Sequence, residues 1–274
     1  MSTQRQENST RLTAPDIAKR KGKEALVCLT AYTAPMAHLL DEACDLILVG
    51  DSVAMALHGL PNTIATTLET MILHGKAVMR GCRRAMVVVD MPFGSYEGPP
   101  EIAYANAVRV LKETGASAIK VENGPTVHST IDYLVQRGIP VMGHVGLRPQ
   151  SVLVDGGFRA KGRNPGERSS VLGQARAAFE AGAFAIVVEG VAESLAREIT
   201  QAIGIPTLGI GASVGCDGQI LVTEDMLGLF EWTPKFVRRY ANLHDEIGRA
   251  VSLYASDVRA RRFPSPAETY FNAE

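Results

Sequence analysis

The strongest constraint on the fold is a regular alternation of two hydrophobic periods along most of the chain. Short apolar runs of strand length recur at residues 25–31, 46–51, 85–92, 118–123, 140–146, 185–190 and 206–212, with a weaker run at 219–223. Several are rich in Val and Ile and apolar at successive positions, as strands of a parallel sheet covered on both faces must be. Between them lie helical patterns at 33–43, 67–81, 100–114, 126–137, 168–181 and 192–202. Three of these end in a glycine-containing stop that leads directly into the next run, in TGASAIKVE, RGIPVMGH and AGAFAIVVE. Glycine there accommodates the left-handed residue that closes a helix. Seven or eight βα units favour closure, so the pattern predicts an α/β fold of the (β/α)8 TIM-barrel type. No G-x-G-x-x-G follows the first run, which argues against an open dinucleotide-binding sheet.

The expected organisation is a polar, disordered arm over residues 1–14, one barrel domain over 15–262 and a short tail over 263–274. The barrel domain includes a C-terminal helical extension from about residue 233, whose basic end (Arg259, Arg261, Arg262) suits the negative end of a helix dipole. Charge enters by its balance. With 28 basic and 29 acidic residues, net −1, no global field favours nucleic acid or an anionic membrane. No apolar run approaches the roughly 20 residues of a membrane span, and the N-terminal stretch has no apolar signal core. A soluble cytoplasmic protein is expected. Cys28, Cys44, Cys82 and Cys216 lack C-x-x-C spacing and read as free thiols.

The chemistry lies in where acids fall. Asp51 ends the second run (LILVGD), Asp90 the third (VVVD), Glu122 the fourth (IKVE) and Glu189 the sixth (IVVE), with His144 near the end of the fifth (VMGH). In a barrel these strand ends open on one face, where active sites sit. One such acid alone often caps a helix; four at equivalent positions point to a shared task. Four carboxylates in one cleft repel one another, and a divalent cation is the usual remedy. Oxygen donors without a Cys cluster or paired His favour Mg²⁺ over Zn²⁺. Asp51, Asp90 and Glu122, from adjacent strands, are the expected metal ligands, and Glu189 is left as a base. Lys120 shares a strand face with Glu122 and offers a cation to a substrate carboxylate, or an ion pair to that Glu. Ser52 offers a hydroxyl to the same anion. His144 fits either a structural or a catalytic role.

These motifs together are similar to those of the ketopantoate hydroxymethyltransferase family. The resemblance is carried by TAYTAPMA, LVGDSVAM, HGLPNT, MILHGKAV, VVDMPFGSY, AIKVENG, GHVGLRPQS, AIVVEGV and GIGASVGCDGQILV, from about residue 12 to about residue 263. It implies transfer of a hydroxymethyl group from 5,10-methylenetetrahydrofolate to 3-methyl-2-oxobutanoate, the first committed step of pantothenate biosynthesis. By the same resemblance Asp51, Asp90 and Glu122 are metal-associated, and Asp51, Ser52, Asp90 and Lys120 contact the oxo acid. Glu189 is the proton acceptor, and His144 is an additional site residue. The family also implies a homo-oligomer, commonly a decamer. The sequence departs from the family pattern at Ala65 (usually Pro), Asn123 (commonly Gly) and Ala212-Ser213 (frequently Ala-Gly). A Mg²⁺-dependent oxo-acid lyase on the same barrel is the main rival; its K-x-x-G-H signature with an active Cys is missing. A barrel retained only for binding would not be expected to keep all four acids.

Residues 154–166 (VDGGFRAKGRNPG) hold four glycines and three cations between the fifth and sixth runs. This segment is expected to be a solvated flexible loop, a mobile lid, or a holder of the folate glutamyl tail through Arg159, Lys161 or Arg163.

Overall fold

The computed structural model describes residues 11–124 and 126–271. The chain divides into two compact units, one ending at Val222 and one beginning at Thr223. The first is a closed barrel of eight parallel strands in sequence order, the (β/α)8 TIM-barrel fold. The strands are β1 Leu26–Thr30, β2 Leu46–Val49, β3 Met86–Asp90, β4 Ala118–Lys120, β5 Val141–Gly146, β6 Ala185–Glu189, β7 Thr207–Ile210 and β8 Gly218–Leu221. β8 pairs back onto β1, with Leu26 opposite Gly218, and closes the ring. The helices of this unit are α1 Ala14–Ala18, α2 Ala34–Leu40, α3 Val53–Ala56, α4 Leu68–Gly81, α5 Pro100–Thr114, α6 Val127–Val135, α7 Val152–Asp155, α8 Pro165–Glu180 and α9 Glu193–Ala202. All eight expected strands are present.

Strand parity divides the core in two. Leu46, Leu48, Met86, Val88, Ala118, Met142, Ala185, Val187 and Leu208 fill the barrel interior as one cluster. Their alternates, among them Ile47, Val49, Val87, Val89, Ile119, Val141, Ile186 and Val188, pack outward under the helices. This is why the runs are apolar at successive positions.

The N-terminal segment departs from the expected disordered arm. Residues 1–10 of that arm lie outside the described residues, but Arg11 donates to the Cys82 carbonyl at 2.6 Å, and Leu12 N–H donates to the Arg84 carbonyl. Thr13 and Asp16 form a capping box at the start of α1, with Pro15 in its first turn. Ala14 and Ile17 join the interior cluster. Burial of Ile17 supplies the ordering that sequence polarity concealed. The four cysteines are free and buried.

The second unit holds α10 Thr223–Met226 and α11 Leu243–Arg259, followed by a 3-10 turn at Pro266–Glu268. Backbone bonds from Tyr240, Leu243 and His244 to Met226, Leu227 and Gly228 join its two helices. The division between the two units falls at Val222, just after the barrel's last strand. No residue of α11 is buried; Ile247, Val251, Tyr254 and Val258 recur along it at helical spacing and are exposed. Arg262 turns back to pair with Asp257 at 2.9 Å, and Phe263 packs its ring on Tyr254. Among the described residues no helix is long and apolar enough to cross a membrane.

Candidate active site

The interior rows that carry Met86 and Val88, Ala118, Met142, and Ala185 and Val187 change from apolar to ionisable at the C-terminal ends of their strands. Two residues further along these rows stand Asp90, Lys120, His144 and Glu189, with Glu122 one step beyond Lys120. Register fixes their heights: Asp90 lies opposite Lys120, Lys120 opposite Met142, and Glu189 opposite Gly146. Strand pairing therefore brings residues distant in sequence to one mouth.

Asp51 gets there differently. Counting from Leu46 and Leu48, the inward position is Gly50, and Asp51 follows it in the turn after β2. A Cβ at Gly50 would lie 2.6 Å from Ser52 Oγ and 3.6 Å from Asp90 Oδ2. Its absence lets the Asp51 backbone N–H donate to Asp90 Oδ2 at 3.1 Å. Ser52, next in the turn, shares a 2.8 Å hydrogen bond with the Tyr32 hydroxyl. The Tyr32 carbonyl is in turn 2.8 Å from His74 Nδ1.

Charge in this cluster is unbalanced. Asp51, Asp90 and Glu122 are buried, and the one buried cation among them, Lys120, binds Asp90 Oδ1 at 2.5 Å. Burial, and then the Asp90 charge, push the Asp51 carboxyl up to about 7, against the opposing pull of Lys120 and Gln150. Glu122 is pushed well above the ordinary carboxylate range by burial and by the charges of Asp51, Glu189 and Asp90. Burial opposes the charge on Lys120, yet Asp90, Asp51 and Glu122 together raise its pKa above the ordinary value. Asp51 and Glu122 therefore hold their protons to higher pH than ordinary carboxylates.

His144 lies between two acids, with Nε2 3.2 Å from Glu189 Oε2 and Nδ1 3.7 Å from Glu122 Oε1. Neither contact makes a hydrogen bond, so both ring nitrogens are buried without one. Burial and Lys120 hold its pKa below the usual histidine value, against the opposing pull of Glu189 and Asp90. Glu189 is more open than the other three acids, with 17% of its side chain exposed.

Two residues that support the acids escaped the sequence reading. Gln150 donates from Nε2 to Asp51 Oδ2 and to the Met91 carbonyl, both at 2.9 Å. Its backbone N–H donates to Glu122 Oε2 at 3.1 Å. Tyr96 donates its hydroxyl to Gln150 Oε1 at 2.6 Å and accepts the Glu122 N–H at 3.1 Å. Both lie in quoted motifs (VVDMPFGSY and GHVGLRPQS), but a buried polar side chain gives no periodic signal. Asn123, a departure from the family pattern, extends the β4–β5 ladder past the strand: its N–H donates to the His144 carbonyl, and its Oδ1 accepts the His144 N–H.

The segment expected as a lid is partly tied down. α7 occupies its start, Lys161 forms a bridge to Val191, and Lys161 Nζ pairs with Asp155 at 2.8 Å. Helix α8 begins at Pro165, earlier than its apolar pattern, because the Asn164 side chain caps the Glu167 N–H. Arg148, Lys161, Ser170 and Gln174 line a pocket that reaches Gly146, the register partner of Glu189.

Comparison with known proteins gives the family of the chain. A family model described as ketopantoate hydroxymethyltransferase matches residues 11–266. The 3-methyl-2-oxobutanoate hydroxymethyltransferases of Phenylobacterium zucineum (strain HLK1) and Caulobacter vibrioides (strain NA1000 / CB15N) are 73% and 69% identical to this chain, across 99% of it and 98% of each relative. The chain belongs to the ketopantoate hydroxymethyltransferase family. It is therefore an enzyme, a hydroxymethyl transferase. Among solved structures, a 2,3-dimethylmalate lyase of the PEP mutase/isocitrate lyase superfamily matches with a TM-score of 0.61 at 16% identity, over 94% of this chain and 92% of that one. A phosphonopyruvate hydrolase solved with oxalate and Mg++ matches with a TM-score of 0.56 at 15% identity, over 94% and 93%. Those likenesses are of fold. Sequence identity separates the ketopantoate hydroxymethyltransferases from the lyase rival.

Proposed function

We propose that the chain takes the one-carbon unit of 5,10-methylenetetrahydrofolate onto C3 of 3-methyl-2-oxobutanoate, giving ketopantoate for pantothenate biosynthesis, with Mg²⁺ bound at the acids. The observation that carries this reading is the buried excess of negative charge at Asp51, Asp90 and Glu122 around a single Lys120. Among the described residues no three His, Cys, Asp or Glu side chains are already closed into a metal shell. The donors nevertheless fit a hard cation, since all are carboxylate oxygens and the charge deficit is of the right sign. Asp51, Asp90 and Glu122 would hold the cation. When bound, it would supply Lewis-acid polarisation of the substrate's keto group.

The chain's own residues account for the remaining steps. Lys120 and the Ser52 hydroxyl hold the oxo acid's carboxylate, together with groups of the Asp51 turn. Glu189, the most open of the acids, accepts the C3 proton. His144, 3.2 Å from Glu189 Oε2, is the neighbour placed to hold that carboxylate once their geometry tightens on substrate. The C3 carbanion then bonds to the folate's methylene carbon, water supplies the hydroxyl, and tetrahydrofolate leaves. General-base help of this kind is worth about 10²–10⁴-fold. The pocket beside Gly146, with Arg148 and Lys161, would take the folate's glutamyl tail. The exposed apolar row of α11 supports a homo-oligomer, and the family resemblance favours a decamer. Both substrates are small soluble metabolites, in keeping with a cytoplasmic setting.

The test is exchange of the C3 proton of 3-methyl-2-oxobutanoate in D₂O, followed by NMR without folate. Glu189→Gln is expected to bind the oxo acid and lose exchange. Exchange at the wild-type rate would remove Glu189 from the role.

A further inference from the structure

Gln150 hydrogen-bonds two of the three clustered acids, Asp51 through its side chain and Glu122 through its backbone N–H. It sits in the 3-10 turn Pro149–Ser151 after β5, and its contacts reach the turn after β2, the end of β3 and the end of β4. Asp51 is 99 residues away in sequence and Tyr96 is 54 away. Gln150 is 6% exposed and Tyr96 is 2% exposed, so water does not compete for these bonds.

Hydrogen-bond arithmetic fixes the amide's direction. The Tyr96 hydroxyl has one hydrogen and already accepts the Glu122 N–H. Its hydrogen therefore goes to the Gln150 oxygen, 2.6 Å away. The amide nitrogen is left facing Asp51 Oδ2 and the Met91 carbonyl, and both of its hydrogens are used. A flipped amide would set oxygen against the Asp51 carboxylate and the Met91 carbonyl and would put an N–H₂ group against the Tyr96 hydroxyl. Asp51, the Met91 carbonyl and the Tyr96 hydroxyl thus all select the same amide orientation, and Tyr96 is the donor that fixes the oxygen end.

The consequence falls on the carboxylates. Gln150 engages Asp51 through Oδ2 and Glu122 through Oε2, the latter by its backbone N–H. Asp51 Oδ1 and Glu122 Oε1 are the oxygens it leaves. We propose that Gln150, oriented by Tyr96, is a positioning residue that turns one defined oxygen of Asp51 and of Glu122 toward a shared divalent cation and so sets the affinity for that cation. The proposal rests on the reading of these acids as cation ligands. Removing the partners that orient ligand side chains typically costs about 10–100-fold in metal affinity.

The test is Mn²⁺ binding to the intact protein in the presence of 3-methyl-2-oxobutanoate, measured by EPR as loss of the free-ion signal. Gln150→Leu is expected to raise the Mn²⁺ Kd by about 10–100-fold. Tyr96→Phe, which keeps the packing but removes the donor that holds the Gln150 oxygen, is expected to raise it in the same direction by a smaller factor. In both variants kcat at saturating cation should recover toward wild type while the cation concentration for half-maximal rate rises. A merely structural role would lower Tm without that split. If Gln150→Leu does not fold, Tyr96→Phe alone decides. A Kd within twofold of wild type in a folded variant overturns the proposal and leaves the cation reading intact. No Mn²⁺ binding by the wild-type protein overturns both.

Discussion

Replacing Asp51 by Asn should stabilise the cation-free protein above pH 7 and do little at pH 4. Burial and the Asp90 charge push this carboxyl from 3.8 to about 7. An acid whose pKa is raised by folding is disfavoured in its ionised form. The penalty is absent below the unfolded value, grows between about pH 4 and pH 7, and is complete above that. Three units at about 1.36 kcal/mol each come to roughly 4 kcal/mol. Asn keeps an oxygen for Gln150 Nε2 and removes the charge, but its N–H₂ group must find an acceptor, which reduces the gain to about 2–4 kcal/mol. For a chain of this size that is on the order of 5–10 °C in Tm. The assay is thermal unfolding in EDTA at pH 8 and at pH 4, wild type against Asp51→Asn. With Mg²⁺ and oxo acid present at pH 8 the order should reverse, because the wild type then gains the cation's binding energy. A variant that is less stable in EDTA at pH 8, or that shifts equally at both pH values, would refute the charge argument.

Other consequences are simpler to check. A Cβ at Gly146 would stand 2.2 Å from the Glu189 carbonyl, and the residue's φ is +98, so Gly146→Ala should cost about 3 kcal/mol or more in stability by denaturant unfolding. Wild-type stability in that variant would mean that β5 and β6 part easily at their ends. Reversing the charges of Arg159, Lys161 and Arg163 together should raise the KM for the folate while the oxo-acid KM stays the same; an unchanged folate KM would take these cations out of tail binding.

Much of the barrel is legible in the sequence for one physical reason. Parallel strands buried on both faces must be apolar at successive positions, so β2, β3 and β6 stand out as LILV, MVVV and AIVV. The ionisable residues that interrupt these rows at the strand ends are legible for the same reason: Asp90, Lys120, His144 and Glu189 sit where parity calls for an inward side chain. Asp51 does not follow that parity. Its place depends on a missing side chain at Gly50, which strand counting does not reveal. Gln150 and Tyr96 are less legible still, since each acts only through contacts with strands far away in sequence. Helix α1 was obscured by the polar stretch before it, although its Thr13–Asp16 capping box is a local signal. The helical period of α11 is legible, but an amphipathic helix shows the same 3.6-residue period whatever it packs against.

The central claim is that three acids from neighbouring strands share one divalent cation where the oxo acid binds. Anomalous diffraction from crystals soaked with Mn²⁺ and 3-methyl-2-oxobutanoate tests it directly. The account predicts one strong peak per chain, between Asp51, Asp90 and Glu122, with electron density for the oxo acid beside it and in reach of Glu189. A peak at any other site, or bound oxo acid with no metal beside those carboxylates, would contradict it.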